Sequence, residues 1–179
     1  MTRAAAVYAE ALYDLAKDEA LGTRIFDEIK ALDKAFEAEK DFLRLLSTPN
    51  LSLEERLSII DKSFRGKLHA YTLNFLKLLT EKGYVLKFHE CAGAYRDLYN
   101  EDNGILPVRV VTAEPLDEKQ ALRLKVRLGA ITGKVVELIQ QVDPACLGGI
   151  RLDYDGKRVE DTVAGRLEAV RKTLKNTVL

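Results

Sequence analysis

Apolar residues recur every three or four positions through the first hundred residues of the chain, which is the spacing of helices with one buried face. Six such stripes follow one another, separated by short breaks rich in glycine and polar residues. Because short amphipathic helices must bury their apolar faces against one another, the pattern predicts a six-helix bundle over residues 1–104. The main breaks fall at Gly22–Thr23, Ser47–Asn50, Gly66, Gly83 and Asn103–Gly104.

Two details of this helical part bear on its packing. Ser52 and Glu55 have the spacing of a capping box, and they predict the start of the fourth helix. The first helix is unusually rich in alanine, whose small side chain lets another helix approach closely. That helix is therefore a candidate surface for a docked helical partner.

The pattern changes at Ile105, where β-branched residues become frequent and apolar and polar positions alternate. Three strands are predicted, in ILPVRVVTA, in KVVELIQQV and at Gly149–Tyr154. Because proline cannot donate a backbone hydrogen bond, Pro107 is expected near the start or at the edge of the first strand. Asp155–Gly156 predicts a turn after the third.

Two helices are predicted among these strands. The segment LDEKQALRLKVRLGAITG fits a strand by its alternation and a helix by its spacing of leucines. Asp117 and Gln120 form a potential capping box and the segment is long for a strand, so we interpret it as a helix. A last helix begins at Asp161 or Thr162 as its cap. Its apolar stripe is Val163, Leu167, Val170 and Leu174.

These elements predict an α+β protein overall, with an N-terminal six-helix bundle at residues 1–104 and a small C-terminal α/β domain at residues 105–179. Charge separates the same two parts. The first has 15 basic and 18 acidic residues, a net charge of −3, and the second has 13 basic and 10 acidic residues, a net charge of +3. Two folding units with two different partners are expected.

Composition argues against several classes of function. The 28 basic and 28 acidic residues balance, whereas nucleic-acid binders usually carry a basic surface, so no nucleic-acid partner is predicted. No apolar run approaches the roughly 20 residues that span a bilayer, and no direct membrane insertion is predicted. The N-terminus lacks the apolar core of a signal peptide. The widely separated Cys91 and Cys146 suit a reducing compartment without a structural disulfide.

No motif typical of catalysis or metal binding is found in the sequence. His69 and His89 lie on different predicted helices and lack the spacing of metal ligands. Neither cysteine belongs to a Cys-x-x-Cys pair. Catalytic, cofactor-binding and metal-binding residues are therefore all predicted to be absent. Arg123, Lys125 and Arg127 form either a basic patch or a solvated helix face, and the lack of interleaved aromatic residues favours the second.

Gly148 and Gly149 admit two interpretations. Paired glycines beside a strand can cradle a phosphate, or they can meet a need of the backbone itself. These two lead into a strand rather than a helix, and they match neither a Walker loop nor a dinucleotide fingerprint. We therefore interpret them as backbone geometry, while a small nucleotide-dependent enzyme remains an alternative.

Two stretches resemble the delta subunit of bacterial rotary ATP synthases, the counterpart of the mitochondrial oligomycin-sensitivity-conferring protein. YAEALYDLA is similar to the start of that family, and VDPACLGGIRLDYDG followed by VEDTVAGRLEAVRKTL is similar to its C-terminal signature. Cys146, Glu160, Thr162 and Ala164 are mild departures from the family pattern. The matching positions include Asp143, Pro144, Gly148, Gly149, Gly165 and Arg166.

The resemblance implies a non-catalytic stator subunit without cofactors, at the cytoplasmic face of the bacterial plasma membrane. Its N-terminal bundle would receive the N-terminal helix of a catalytic-head alpha subunit, and its C-terminal domain would engage b-type stalk subunits. A groove between the first and fifth helices is the expected alpha-subunit site. It would be lined by Tyr8, Ala11, Leu15, Phe75 and Leu78. A two-domain, helix-binding adaptor of another assembly is the alternative, and a chloroplast-type mature chain fits the same pattern.

Overall fold

The computed structural model describes residues 2–169, and the chain divides into two compact units between Tyr99 and Asn100. The predicted α+β class is confirmed, because helices fill the first unit and a four-stranded sheet accompanies helices in the second. Among the described residues no helix is both long and apolar enough to cross a membrane.

Helices of the first unit form where the apolar stripes predicted them. They are α1 (Arg3–Asp18), α2 (Gly22–Ala38), α3 (Lys40–Ser47), α4 (Leu53–Phe64), α5 (Ala70–Glu81) and α6 (Phe88–Asp102). A turn of 3-10 helix at Val85–Lys87 precedes α6. The capping box before α4 is present, with the Glu55 amide donating to Ser52 Oγ at 3.2 Å.

Four phenylalanine rings form one cluster in and beside the core of this unit. Phe36 of α2 stacks on Phe42 at 5.6 Å between ring centroids and meets Phe88 edge-on at 5.0 Å. Phe64 closes the cluster from α4. Buried rings carry more apolar area than aliphatic side chains, so this cluster contributes strongly to burial in the unit.

The predicted break at Gly22–Thr23 is wrong by about one turn. Both residues lie in the first turn of α2, and the break between α1 and α2 falls before them, at residues 19–21. Ala20 takes a φ of 54° there, and the Leu21 amide donates to the carbonyl of Ala16 at 2.7 Å. An alanine therefore takes the positive-φ position of this turn, and Gly22 lies inside the helix that follows.

The second unit contains one β-α-β segment and one hairpin. Its elements are β1 (Ile105–Thr112), α7 (Glu118–Thr132), β2 (Val135–Val142), a 3-10 turn at Pro144–Cys146, β3 (Gly149–Tyr154), β4 (Lys157–Thr162) and a helix α8, described over residues 163–169. The strand order is β2-β1-β3-β4. β1 pairs parallel with β2, and the remaining pairs are antiparallel.

Three predictions about this unit are confirmed. The ambiguous segment is the helix α7, and its capping box is present, with the Gln120 amide donating to Asp117 Oδ1 at 2.6 Å. Pro107 lies near the start of β1, two residues before pairing with β3 begins at Arg109. Of the two candidate caps for α8, Thr162 is the one used, since its Oγ1 accepts from the Gly165 amide at 3.0 Å.

The prediction of three strands is incomplete, because β4 was missed. Asp155 and Gly156 have φ values of 48° and 68° and link β3 to β4 as a two-residue hairpin, the geometry of a type I′ turn. β4 is an exposed edge strand, in which five of six residues face solvent, so it lacks the apolar alternation that marks a strand in sequence. The predicted stripe positions Val170 and Leu174 lie outside the described residues.

One face of the sheet forms the core of the second unit. Leu106, Val108 and Val110 of β1 are at most 7% exposed and pack with Leu124 and Leu128 of α7. This arrangement leaves the opposite face of α7 to solvent.

Candidate functional site

A groove of about 530 Å³ lies between α1 and α5. Its lining includes all five residues predicted from the sequence, namely Tyr8, Ala11, Leu15, Phe75 and Leu78. Leu15 and Leu78 are 41% and 38% exposed, which is high for leucines beside a helical core. Phe75 is 6% exposed and also belongs to that core. The groove therefore offers apolar area that no described part of the chain covers.

The alanines of α1 serve a different purpose from the one expected. Ala5, Ala9 and Ala16 are at most 2% exposed and belong to the core of the first unit. Their small side chains thus let α1 pack closely against its own neighbours. Ala11 is the exposed alanine that contributes to the groove.

The α5 side of the groove carries polar groups that the sequence analysis did not select. Asn74, Lys77 and Glu81 line it together with Leu78. They share one face of α5, and a second reading of that helix at intervals of three and four residues would have found them. The groove is thus apolar along α1 and partly polar along α5.

Lys77 is held in place by an ion pair with α4. Its Nζ lies 2.7 Å from Asp61 Oδ1 and 2.8 Å from Oδ2. The hydrogen bond from Lys77 holds the pKa of the Asp61 carboxyl below its ordinary value. Because the two charges compensate each other, Lys77 does not place an unpaired cation at the edge of the groove.

Glu28 of α2 fixes the first turn of α5, the helix that forms one wall of the groove. Its carboxylate accepts from the His69 amide at 3.0 Å and from Thr72 Oγ1 at 2.6 Å. The side chain is only 13% exposed. A carboxylate at a helix N-terminus also interacts favourably with the helix dipole. His69 itself caps α5, since its Nδ1 accepts from the Tyr71 amide at 3.3 Å.

Replacing Glu28 with alanine should lower the free energy of unfolding of the helical unit by about 2 kcal/mol, because the His69 amide and the buried Thr72 hydroxyl lose a charged acceptor. Urea unfolding followed by circular dichroism at 222 nm measures this. Glu10→Ala provides a matched control, as Glu10 is an exposed acid of α1. Equal effects of the two substitutions would contradict the role given to Glu28.

The second candidate region is the loop before β3 together with the junction of β4 and α8. Asp143 accepts from the Ala145 amide at 3.0 Å, in a turn that begins with Pro144. The carbonyl of Gly148 accepts from the Val163 amide at 3.0 Å. Arg166 forms an ion pair with Asp161. Residues separated in the sequence motif are therefore linked in one local structure.

Gly149 and Gly165 both lie where a side chain has little room. Gly149 has a φ of 78°, and a Cβ there would overlap the carbonyl oxygen of Asp161 and lie 3.0 Å from Cα of Thr162. At Gly165 a Cβ would lie 2.9 Å from Glu160 Oε1 and 3.1 Å from Thr162 Oγ1. At Gly149 the close approach is between two segments of backbone, which supports the interpretation as backbone geometry.

The cleft that is lined by Gly148 and Gly149 is poorly suited to a phosphate. Its volume is about 460 Å³, and its lining includes Glu114, Asp117 and the exposed Leu147. Among the described residues that line it there is no lysine or arginine. Two carboxylates without a cation repel an anion, so the geometry argues against the nucleotide alternative.

His89 lies at the surface beside two acids. Its Nδ1 is 2.9 Å from Asp33 Oδ1 and 3.7 Å from Glu37 Oε1. Ligand atoms of these three residues lie within 4.8 Å of one another. His89 and Glu37 are each 64% exposed, so we interpret the group as a surface contact that joins α2 to α6.

Both cysteines are buried and are not in a disulfide. Burial raises the pKa of the Cys91 thiol to about 11. A thiol with that pKa is almost entirely protonated at neutral pH and is a poor nucleophile. This agrees with the absence of a redox motif in the sequence.

Comparison with known proteins identifies the family. The family model for "ATP synthase delta (OSCP) subunit" matches residues 4–174. ATP synthase subunit delta of Desulfitobacterium hafniense strain Y51 is 32% identical over 167 residues, covering 93% of each chain. That of Clostridioides difficile strain 630 is 28% identical over 172 residues, covering 96% of this chain and 95% of the relative.

A solved structure shares the fold. It is a chain in the cryo-EM structure of the Toxoplasma gondii mitochondrial ATP synthase hexamer, with a TM-score of 0.78 at 18% identity, covering 97% of this chain and 98% of that one. The present chain belongs to the ATP synthase delta (OSCP) subunit family, a non-catalytic component of the peripheral stalk of F-type ATP synthases. The resemblance seen in the sequence is thereby confirmed.

Proposed function

We propose that this chain joins the catalytic head of the ATP synthase to its b-type peripheral stalk, so that the head resists the torque of the rotor. The N-terminal six-helix bundle binds the head, and the C-terminal α/β domain binds the stalk. Membership of the delta (OSCP) family and the division into two compact units support this assignment. The bacterial relatives support a location at the cytoplasmic face of the plasma membrane.

The observation that carries the proposal is the groove between α1 and α5. An amphipathic helix that lays its apolar side chains between two helices is a common mode of recognition. The exposed Leu15 and Leu78 and the half-buried Tyr8 provide contacts for such side chains. We assign this groove to the N-terminal helix of the alpha subunit.

The stalk contact is assigned to the C-terminal unit, through α8 and the strands beside it. Val163 and Leu167 at the start of α8 are 44% and 59% exposed, and Val159 of β4 is 48% exposed. Apolar area of this kind stabilises a complex with little dependence on salt. The net charge of +3 in this part adds a weak attraction for acidic segments, which is screened beyond about 8 Å at physiological salt.

A fragment of residues 1–104 should fold alone and bind a peptide of the alpha-subunit N-terminus, but not the soluble part of the b subunit. The full chain should bind both. Calorimetry at low and high salt, with the fragment and the full chain in parallel, measures the two associations. The full chain should lose less than about tenfold in stalk affinity at high salt, since apolar contacts dominate.

Capture of the stalk by the 1–104 fragment would overturn this division of labour. So would loss of stalk binding by the full chain in moderate salt. Circular dichroism of the fragment provides the necessary check that its helices are formed.

A further inference from the structure

Asp33 and Glu37 of α2 and His89 of α6 bring three possible metal ligands together on the helical unit. His89 Nδ1 lies 2.9 Å from Asp33 Oδ1 and 3.7 Å from Glu37 Oε1, and all three ligand atoms lie within 4.8 Å of one another. Zinc binds imidazole nitrogen and carboxylate oxygen at about 2.0–2.2 Å, so two ligands of one ion lie about 2.8–3.5 Å apart. One pair already has this separation, and a small rotation of the exposed Glu37 side chain brings in the third ligand.

The backbone is fixed on both helices directly beside these ligands. Phe36 of α2 precedes Glu37 and is 5% exposed, and Phe88 of α6 precedes His89 and is fully buried. The two phenylalanine rings meet edge-on, with 5.0 Å between their centroids. Asp33 lies one turn before Glu37, so the two carboxylates share one face of α2. Ligands carried by packed helices need little reorganisation when an ion binds.

The charges around the group favour a cation. The Asp33 side chain is only 13% exposed, and charges removed from water are paired or coordinate metals. Lys40 lines the same cavity as the three ligands, and Lys30 and Arg96 line a second cavity with Asp33. These three cations offset part of the negative charge but supply no ligand atom. We therefore expect micromolar rather than nanomolar affinity for a divalent ion.

An open cavity beside the group leaves room for the rest of a coordination shell. Its volume is about 290 Å³, and Phe36, Lys40 and Leu43 line it together with the three ligand residues. A water molecule takes up about 30 Å³, so several can enter. Three protein ligands with solvent in the remaining position are a common arrangement around zinc.

We infer that Asp33, Glu37 and His89 form a binding site for a divalent transition-metal ion of the zinc class, which links α2 to α6. Imidazole together with carboxylates suits Zn²⁺, Co²⁺ or Ni²⁺, whereas Mg²⁺ and Ca²⁺ prefer oxygen ligands alone. His89 binds as the neutral ring, with its proton on Nε2 and the Nδ1 lone pair on the ion. The expectation that metal-binding residues are absent rested on local spacing, whereas Asp33 and His89 are 56 residues apart.

A plain ion pair between His89 and the two acids is the competing explanation. In that case added zinc would leave the stability of the helical unit unchanged, because the ion would find no site in the folded state. The α1–α5 groove is lined by other residues, so neither explanation depends on the proposed contact with the head.

The first test titrates the full chain with Zn²⁺, with binding measured by calorimetry and stability by urea unfolding. One ion should bind per chain at the site. Zn²⁺ at about 100 times its Kd should lower the equilibrium constant for unfolding of the helical unit by the same factor. The same concentration of Mg²⁺ should change neither quantity. Equal binding of Mg²⁺ would overturn the assignment to the zinc class, and a lack of zinc binding would overturn the site itself.

Matched variants locate the ion. His89→Ala and Asp33→Asn should each weaken Zn²⁺ binding by about tenfold or more, because a site with three protein ligands loses one. Asp14→Asn combined with Asp18→Asn removes two exposed acids one turn apart on α1 and should leave the affinity unchanged within about twofold. Circular dichroism checks that each variant is folded. Full zinc affinity in folded His89→Ala would overturn the inference.

Imidazole NMR gives a direct readout that does not depend on any substitution. The chain contains two histidines, His69 and His89. Zn²⁺ should shift the Nδ1 resonance of His89 in long-range proton–nitrogen spectra. It should leave His69 unchanged, because His69 Nδ1 already accepts from the Tyr71 amide. A shift of His69 instead, or of neither ring, would contradict coordination by His89.

Discussion

Replacing Gly149 with alanine should destabilise the C-terminal unit by about 3 kcal/mol or more, the combined cost of a positive φ and of overpacking. The φ of 78° disfavours every residue except glycine, and the new Cβ would overlap the carbonyl oxygen of Asp161 on β4. Because Gly149 pairs with Thr162 at the open end of the β3–β4 hairpin, the backbone has to shift at that end. Hydrogen exchange of the β3 and β4 amides in the full chain measures the local free energy of opening.

Gly156 offers a matched control for this substitution. Its φ of 68° is similar, yet a Cβ there would meet no atom within 4 Å. Gly156→Ala should therefore cost only the conformational term, about 1–2 kcal/mol. If the two variants are destabilised equally, the contact with Asp161 contributes nothing, and the close approach of the two backbone segments is not what requires glycine at position 149.

Replacing Ala11 with arginine should weaken binding of an alpha-subunit N-terminal peptide by about 100-fold or more, which corresponds to about 2.7 kcal/mol. Ala11 is exposed in the lining of the groove, so a longer charged side chain occupies the space of the docked helix. The cation would also lie next to Leu15 and Leu78, the apolar contacts of the site. Calorimetry with the full chain and the peptide gives the affinity.

The helix itself should tolerate this substitution, because arginine is a good helix former and position 11 faces solvent. Ala31→Arg is the matched control, as Ala31 is an exposed alanine of α2 that does not line the groove. It should leave peptide affinity unchanged within about twofold. Equal loss in both variants would indicate a general charge effect, and full affinity in Ala11→Arg would place the alpha-subunit site elsewhere.

The helices were readable from sequence because each buries one face. Stripes such as Ile25, Ile29, Leu32 and Phe36 coincide with the residues that are buried in α2. Capping boxes marked where helices begin. In α7 the box identified as a helix a segment whose apolar spacing also fitted a strand. Local hydrogen-bonding chemistry and side-chain periodicity are both encoded within a few residues, so a single sequence suffices to predict them.

β4 was missed because its stability comes from its partner strand rather than from its own side chains. Lys157–Thr162 is polar, and only Thr162 is buried. The one available signal was Asp155–Gly156, a dipeptide typical of two-residue hairpins. A hairpin turn directly after a strand implies a second strand even where the residues are charged, and that inference would have recovered β4.

The candidate site was predictable only in part. The apolar members of the groove lie on predicted stripes, whereas the Lys77–Asp61 pair joins α5 to α4 across 16 residues of sequence. Glu28 and His69 are 41 residues apart and meet only in the folded unit. Contacts of this kind depend on how helices pack against one another, and one sequence does not specify that packing by periodicity.

The parallel pairing of β1 with β2 has a consequence for the order of events during synthesis. Ile105 lies opposite Val135. Thirty residues, including the whole of α7, must therefore leave the ribosome after Ile105 before this first pair of residues can form. Helices joined by short turns rely on nearby contacts and fold quickly, whereas distant strand pairing is slow. Since domains fold as units from the N-terminus, the nascent chain presents the α1–α5 groove before its sheet is complete. The surface proposed to bind the head is therefore available for assembly earlier than the surface proposed to bind the stalk.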